Sequence, residues 1–566
     1  MHARHASHTA PAPGPVPDAR GTDLFAADAF ADVLRCYLPR ALHAHLLPHL
    51  QRLGARAGGE LDVLAASAER HPPTLSVRTR AGADESRIEK HPDYVALERV
   101  AFAELGLAAM SHRAGVLGWH EPMPAAAKYA LTYLLVQAEF GLCCPLSMTD
   151  SLARTLRRFG RPELVQQVLP QLITQDFDAL RQGAMFMTEQ GAGSDVSATE
   201  TRAEPAADGN WALYGDKWFC SNPDAGFAMV LARSEPVPGM AGVSLFLLPR
   251  ERPDGTPNAY RILRLKDKLG TRSMASGEIR LEGAFAWLVG ERGQGFKQMA
   301  DMINNSRLSN GVRAAGLMRR ALTEALYVAT HRQAFGRRLI DMPLMQRQLA
   351  KMAVWTEQAR TMVLQTAQAL QAADADPAQR ALARIMTPLI KFRACRDARK
   401  VTGDAMEVRG GCGYIEEWVE PRLMRDAHLG SIWEGTSNIV ALDVMRAIRR
   451  EHALPALRAH VQRLLAEGAP CPAALRERQA ERIERAFAFA AAAAHEDATH
   501  LARQAASALY HAVTLAGMRW EAGQTGLAMR SALADRVLRH RLGARDPLED
   551  DADDDGALCR WLAAPL

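Results

Sequence analysis

The hydrophobic period of this chain changes twice, and that double change restricts its fold more than any single motif does. From about Leu24 to Leu180 apolar residues recur at helical spacing, as in YALTYLLVQAEFGLCCPLSM and LVQQVLPQLI, between His-Pro and Pro-Pro breaks. From about Gly183 to Val289 the runs shorten and alternate, in WALYGDKWFCS, FAMVLARS, GVSLFLLPRE, YRILRLK and GEIRLEGAF, with Gly, Pro, Asn and Asp between them. From Phe296 to about Arg450 the helical period returns over long stretches such as GLMRRALTEALYVATHR and PLMQRQLAKMAVWTEQARTMVLQTAQALQAA. The pattern predicts a mainly α chain with an inserted β domain. Its expected divisions are a flexible tail over 1–22, a helical domain over 23–182, a β domain over 183–295 and a helical bundle over 296–450. An additional helical domain over 451–545 follows, and then an acidic tail over 546–566 whose run DPLEDDADDD is expected to stay solvated.

At 566 residues the chain exceeds any single hydrophobic core, and its 48% hydrophobic and 23% charged content excludes the disordered and fibrous classes. Basic and acidic residues number 69 and 64, a balance that carries no global signal for nucleic acid. Eight cysteines without a C-x-x-C or a zinc-type Cys/His grid argue against a disulfide scaffold or a metal site and fit a reducing cytoplasm. The N-terminus lacks the apolar core of a secretory signal, and no apolar stretch reaches the ~18 to 20 residues of a membrane helix. A cytoplasmic location without a membrane span is therefore expected.

Five segments carry candidate chemistry. MTEQGAGSDVSATETRAE (Met187 to Glu204) exposes backbone N–H groups and hydroxyls that suit a flat polar cofactor edge, as well as an ordinary turn. Trp218 and Phe219 beside Ser221 suit ring cover with a polar rim, or a strand core. HRQAFGR (His331 to Arg337) offers Arg332 to a pyrophosphate, with Phe335 packing nearby, and is equally a helix end with a glycine stop. EVRGGCGY (Glu407 to Tyr414) lets backbone approach a ligand, or turns between helices. SIWEGTSNIVALD (Ser431 to Asp443) places the carboxylate of Glu434 between Trp433 and Gly435, where packing against tryptophan can make a base.

Taken in order, MTEQGAGSD, KLGTRS, HRQAFGR and IWEGTSN, set across the α, β, α texture, resemble the acyl-CoA dehydrogenase family over about residues 90 to 450. The resemblance implies a helical first domain, a middle β-barrel, a carboxy-terminal four-helix bundle and FAD held between barrel and bundle. It places Met187, Thr188, Ser194 and Phe219 to Ser221 along the isoalloxazine, with Thr436 and Asn438 also at the cofactor. Arg332, Phe335, Gly410 and Gly411 then reach the ADP part of FAD bound mainly by a neighbouring subunit, which implies a homo-oligomer, a dimer of dimers. Glu434 matches the family's base, which takes the α-proton of an acyl-CoA while the β-hydrogen leaves to the flavin. The other family location for the base is Ser306, before Arg307, and serine cannot act so. Arg307, Ser194 and Gly435 match positions near substrate or CoA, and an electron-transfer flavoprotein is the implied acceptor.

The long carboxy-terminal extension resembles the AidB-like alkylation-response branch, which implies non-specific double-stranded DNA as a partner. Residues 451–545 hold 13 basic and nine acidic residues, and Arg446, Arg449 and Arg450 sit just upstream at helical spacing as the DNA-contact candidates. Without a base-reading motif, such binding would follow the phosphate backbone and depend on salt. Three functions remain open at this level: a dehydrogenase, a DNA-associated protective flavoprotein with residual dehydrogenation, and an acyl-CoA oxidase.

Overall fold

The computed structural model describes residues 15–207, 209–544, 546, 548 and 553–566. An all-helical layer comes first, with Arg40–Gly58, Glu60–Arg70, Ala125–Ala138 and Cys143–Phe159 as its main members. Ala125–Ala138 is buried along its whole length, as a helix without a polar face must be. A short antiparallel hairpin, β1 (Thr74–Arg78) with β2 (Asp84–Glu89), interrupts this layer, and the helical period did not announce it.

The β domain comprises β3 (Gly183–Phe186), β4 (Arg202–Pro205), β5 (Trp211–Ser221), β6 (Phe227–Arg233), β7 (Val243–Pro249), β8 (Tyr260–Leu265) and β9 (Ser276–Val289). β6 pairs with β4, β4 with β5, β5 with β9, β9 with β7, and β7 returns to β6, so the sheet closes on itself. Alternate residues of these strands, including Leu213, Val230, Phe246, Ile279 and Leu281, fill the interior of this barrel. β3 joins β6 in parallel and leads the chain out of the first helical layer.

Four helices, Gly295–His331, Pro343–Ala372, Pro377–Arg409 and Ser437–Glu451, form the bundle. The third starts at Asp376, whose carboxylate accepts from Ala378 N at 2.8 Å ahead of Pro377, and stops at Gly410 with a φ of +77°. Gly316 sits where the central helix, Gly295–His331, crosses Ala125–Ala138. A Cβ there would lie 2.0 Å from Val136 Cγ1, so only glycine permits that approach. Further helices, Leu454–Ala466, Ala473–Ala493, Ala502–Thr525 and Ala528–Val537, pack on the bundle, and no described helix is long and apolar enough to cross a membrane.

Both expected tails need correction where the structure describes them. Residues 15–22 are packed: Gly21 N donates to Gly58 O at 2.7 Å, and Pro17 O accepts from Arg409 Nη1 at 2.9 Å. At the other end, Asp555–Ala563 is a helix that buries Leu558, Cys559 and Leu562 beside Pro343–Ala372. Asp553, just before it, does not stay free, because it bonds His540 at 2.6 Å and pairs with Arg536 and Arg539. Charge counted along the chain cannot show that neutralisation. Residues 1–14, 545, 547 and 549–552, parts of the two expected tails and of the fifth division, lie outside the described residues.

A buried ionic chain ties the layers together. Arg360 of the bundle bonds Asp28 of the first layer and Glu357 of its own helix, and Arg530 of the added helices bonds Glu357 and Glu521. Tyr37 Oη donates to Glu521 at 2.7 Å, which returns the chain to the first layer. Removing one partner from such a network leaves a buried charge uncompensated, so Arg530→Met is expected to destabilise the protein by about 3 to 5 kcal/mol. A lower urea midpoint, with earlier proteolysis of the carboxy-terminal helices, measures it.

The KLGTRS motif joins the barrel to the first layer, through Glu69 and Glu139, and to the helix Glu420–Gly430, through Asp426. Asp426 accepts from Thr271 N at 2.6 Å, Glu69 from Arg272 N at 3.1 Å, and Glu139 from Ser273 Oγ at 2.5 Å. Burial, reinforced by the charge of Glu69, pushes the Asp426 carboxyl up to about 8. An unfolded aspartate titrates near ~4, so between there and about 8 the folded state keeps a proton that the unfolded state has lost. This carboxyl therefore costs stability progressively as pH rises. Asp426→Asn, which keeps the acceptor for Thr271, is expected to gain on the wild type in thermal midpoint from pH 5 to pH 9; a constant difference would refute the linkage.

Candidate active site

Glu434 lies in the turn between the helices Glu420–Gly430 and Ser437–Glu451, with a φ of +53°, and Gly435 follows at +99°. A side-chain-bearing residue in the left-handed region persists only where its surroundings over-determine it. Here Arg307 Nε donates to Glu434 O at 3.2 Å, and Lys391 Nζ donates to Gly435 O at 2.5 Å. Ser306 Oγ donates to one carboxylate oxygen of Glu434 and Asn310 Nδ2 to the other. Arg307 also reaches Asp443 at 2.7 Å, and Arg384 holds the same carboxylate at 2.8 Å. The turn is thus fastened from the central helix and from Pro377–Arg409 at once. Burial pushes the Lys391 ammonium down to about 8, against the pull of the nearby Cys395 and Glu434.

Trp433 stacks on Phe140 of the first layer with ring centroids 6.2 Å apart, and the Arg313 guanidinium stands 4.7 Å from the indole centroid. Cys144, its thiol raised by burial, has Ser221 beside it and feels both Arg313 and Glu434. First layer, barrel and bundle therefore meet around the Glu434 carboxylate.

The barrel presents its segments together. The β5–β9 register breaks between Lys217 and Cys220, so Trp218 and Phe219 sit at a bulge that frees them from regular pairing. Trp218 N donates to Thr188 O at 2.8 Å, and Lys217 Nζ bonds Glu189 at 2.6 Å, both groups buried. This ion pair pins the loop Met187 to Ser194 to the strand that carries Phe219 and Ser221. Phe219 is 57% exposed and Ser194 is exposed, so both face outward from the barrel.

Arg332 and Gly410 also come together: Arg332 Nη1 donates to Arg409 O at 3.0 Å, and a Cβ on Gly410 would lie 3.6 Å from the same nitrogen. Phe335 stands on a tight turn with a φ of +54° and is 97% exposed, while Gly411 has open space before it. Thr436 precedes the helix Ser437–Glu451 and Asn438 lies in its first turn, both exposed. On the last turns of that helix Arg446 bonds Asp443 at 3.3 Å, Arg449 pairs with Glu496 at 3.2 Å, and Arg450 is exposed.

Sequence reasoning missed Asn310, Arg313, Lys391, Asp443 and the Glu189–Lys217 pair, and treated Ser306 only as a failed base. One signal was available: the central helix carries Ser306, Asn310 and Arg313 at i, i+4 and i+7, so that the three share a face of a buried helix.

Comparison with known proteins agrees with this geometry. Residues 293–449 match the acyl-CoA dehydrogenase C-terminal domain and residues 184–284 its middle domain. Residues 15–179 match the adaptive response protein AidB N-terminal domain. The putative acyl-CoA dehydrogenase AidB of Escherichia coli (strain K12) is 35% identical over 421 residues, 71% of this chain and 73% of that protein. Acyl-CoA dehydrogenase family member 11 of Caenorhabditis elegans is 31% identical over 446 residues, 76% of this chain and 72% of its own length. Among solved structures, Caenorhabditis elegans ACDH-11 in complex with C11-CoA superposes with a TM-score of 0.86 at 26% identity, covering 96% of this chain and 95% of that one. On these matches, spread over all three layers that meet at Glu434, the chain belongs to the acyl-CoA dehydrogenase family and resembles its AidB-like branch.

Proposed function

We propose that the protein is an FAD-dependent acyl-CoA dehydrogenase in which Glu434 removes the α-proton of the acyl thioester. The observation that carries this reading is the Glu434 turn, strained and fastened on every side, with its carboxylate held by Ser306 and Asn310. A general base needs that positional control before its basicity matters. The binding of C11-CoA by the Caenorhabditis elegans neighbour supports an acyl-CoA as substrate.

The residues present fit the cofactor. Phe219 and Phe335 are large exposed aromatics, Arg332 stands beside an open glycine turn, and such surfaces suit a tricyclic ring and a pyrophosphate. Met187, Thr188, Ser194, Phe219 and Ser221 would hold the ring from the barrel side, with Thr436 and Asn438 opposite. Arg332, Phe335, Gly410 and Gly411 would hold the ADP part contributed by a second subunit, in a dimer of dimers. When bound, FAD supplies the two-electron acceptor that α,β-dehydrogenation requires, and an electron-transfer flavoprotein drains it. The chain's own part is to hold the thioester with its α-carbon at the Glu434 carboxylate, to polarise the carbonyl through the Glu434 backbone N–H, and to keep water out. Ser194, Arg307 and Gly435 lie on the substrate side, Arg307 acting through the carbonyl of Glu434.

Anaerobic titration of the holoenzyme with acyl-CoAs, followed at the oxidised-flavin band, tests this. Bleaching is expected in the wild type, with a rate about 100- to 10,000-fold lower in Glu434→Gln. A flavoprotein that no acyl-CoA bleaches would refute dehydrogenation, and rapid reoxidation in air would identify an oxidase.

A second reading, a DNA-associated protective role in the cytoplasm, is favoured by the adaptive-response domain match over residues 15–179. Arg446, half-exposed, with Arg449 and Arg450 would meet phosphates without reading bases. Duplex binding that weakens steeply between 50 and 200 mM salt and is lost in Arg446→Glu/Arg450→Glu is its expected signature. Binding indifferent to salt or to both substitutions counts against it.

A further inference from the structure

Two cavities beside the added helices meet at one arginine. The larger, about 630 Å³, lies between Ala473–Ala493, Ala502–Thr525 and the turn Leu538–Leu542, and Phe489, Ala508 and Leu542 give it an apolar wall. The smaller, about 290 Å³, lies against Pro343–Ala372, where Lys351 and Trp355 line it. Arg541 lines both. It stands there because the helix Ala528–Val537 widens into a π turn over Leu538–Leu542, closed by Gly543 N donating to Leu538 O at 2.8 Å. Neither cavity is lined by a residue of the barrel or of the Glu434 turn, so this place is separate from the candidate active site.

The polar groups at this junction are donors without acceptors. The Arg541 guanidinium stands over the Trp355 ring, 4.7 Å from its centroid, and both Arg541 Nε and Trp355 Nε1 are buried without a hydrogen-bond partner. Asp397 is the acid whose charge reaches Arg541, but Arg393 holds both of its oxygens, at 3.0 and 2.6 Å. Asp553 and Asp555, beside the smaller cavity, are taken by Arg536, Arg539 and His540. Across the larger cavity, Arg482 Nε is buried without a hydrogen bond and comes only to 4.0 Å of Glu481. Lys351 and Arg485 form no ion pair among the described residues. Buried donors left in this state call for an acceptor from outside the chain.

An apolar wall that ends in an unpaired guanidinium describes its ligand. A carboxylate presents two oxygens to the edge of a guanidinium and keeps a lone pair for an indole N–H, while a wall of alanine, leucine and phenylalanine takes a hydrocarbon chain. The phosphates of a nucleic acid would meet the cations but leave that wall uncovered. A volume of about 630 Å³ lies within the range of cavities that hold small ligands. We infer that the carboxy-terminal extension carries a second ligand site, for a long-chain fatty acid anion, with its carboxylate at Arg541 and Trp355 Nε1 and its chain along Phe489, Ala508 and Leu542. The site does not rest on the dehydrogenase reading and is tested apart from it.

The test is calorimetric titration of the holoprotein with dodecanoate, beside butyrate, dodecanol, dodecyl phosphate and dodecyltrimethylammonium, each below its micellar concentration. Dodecanoate is expected to bind about 10-fold or more tighter than dodecanol, and butyrate and the ammonium compound are expected not to bind. Arg541→Met is expected to weaken dodecanoate about 10- to 100-fold, and Arg541→Lys, which keeps the charge without the fork, should recover part of that loss. Ala508→Trp, which fills the larger cavity from a half-buried position, should abolish binding with Arg541 intact, and it decides the matter where Arg541→Met does not fold. Absence of dodecanoate binding would overturn the inference, as would equal affinity for dodecanol or tighter binding of dodecyl phosphate. Dodecanoate binding that neither Arg541→Met nor Ala508→Trp alters would place the fatty acid elsewhere in the protein and overturn it as well.

Discussion

Guanidinium groups buried between helices are what the rest of this structure depends on. Arg313, Arg319, Arg320, Arg360, Arg409 and Arg530 are among its largest fully buried side chains, and all but Arg313 are met by carboxylates. Arg320 joins Asp62 to Glu324, Arg409 joins Glu324 to Glu420, and Arg360 and Arg530 share Glu357. Such pairs add little net stability compared with apolar packing, but they punish every arrangement in which one partner is absent. A chain that must dock a helical layer, a barrel, a bundle and an extension in one register has use for that kind of specification.

The same logic extends to the active site. Arg307 and Lys391 cross from two bundle helices to the Glu434 turn, and Arg384 reinforces Arg307 through Asp443. The position of Glu434 is therefore set by the bundle's own register, and any slip of the central helix by one turn would remove Ser306, Arg307 and Asn310 from it together. The barrel side is set independently by Glu189 and Lys217, and the KLGTRS segment ties it to the helix Glu420–Gly430 that leads into the Glu434 turn.

Much of this was legible in the residues. Alternation in WALYGDKWFCS and FAMVLARS marks β5 and β6, and IWEGTSN marks the turn that carries Glu434. The closure of the barrel was not legible, because it depends on β7 returning to β6, a pairing that no local pattern encodes. Nor were Arg307 and Lys391 as supports of the turn, since they lie 127 and 44 residues from their acceptors and look like ordinary helix cations. The two tails misled for the same reason: Asp553 reads as solvated until Arg536, Arg539 and His540 are seen around it.

The surroundings of Glu434 also hold its carboxylate firmly without an ion pair to its oxygens, as the proposed base requires. Direct ion pairing with arginine or lysine stabilises the ionised form and weakens a carboxylate as a proton acceptor. Here no described cation pairs with the Glu434 oxygens, which receive only the neutral donors Ser306 and Asn310. Of the cations that fasten the turn, Arg307 bonds the Glu434 carbonyl and the Asp443 carboxylate, and Lys391 bonds the Gly435 carbonyl. They fix where the carboxylate stands through the backbone that carries it, which is the placement the proposed proton abstraction requires.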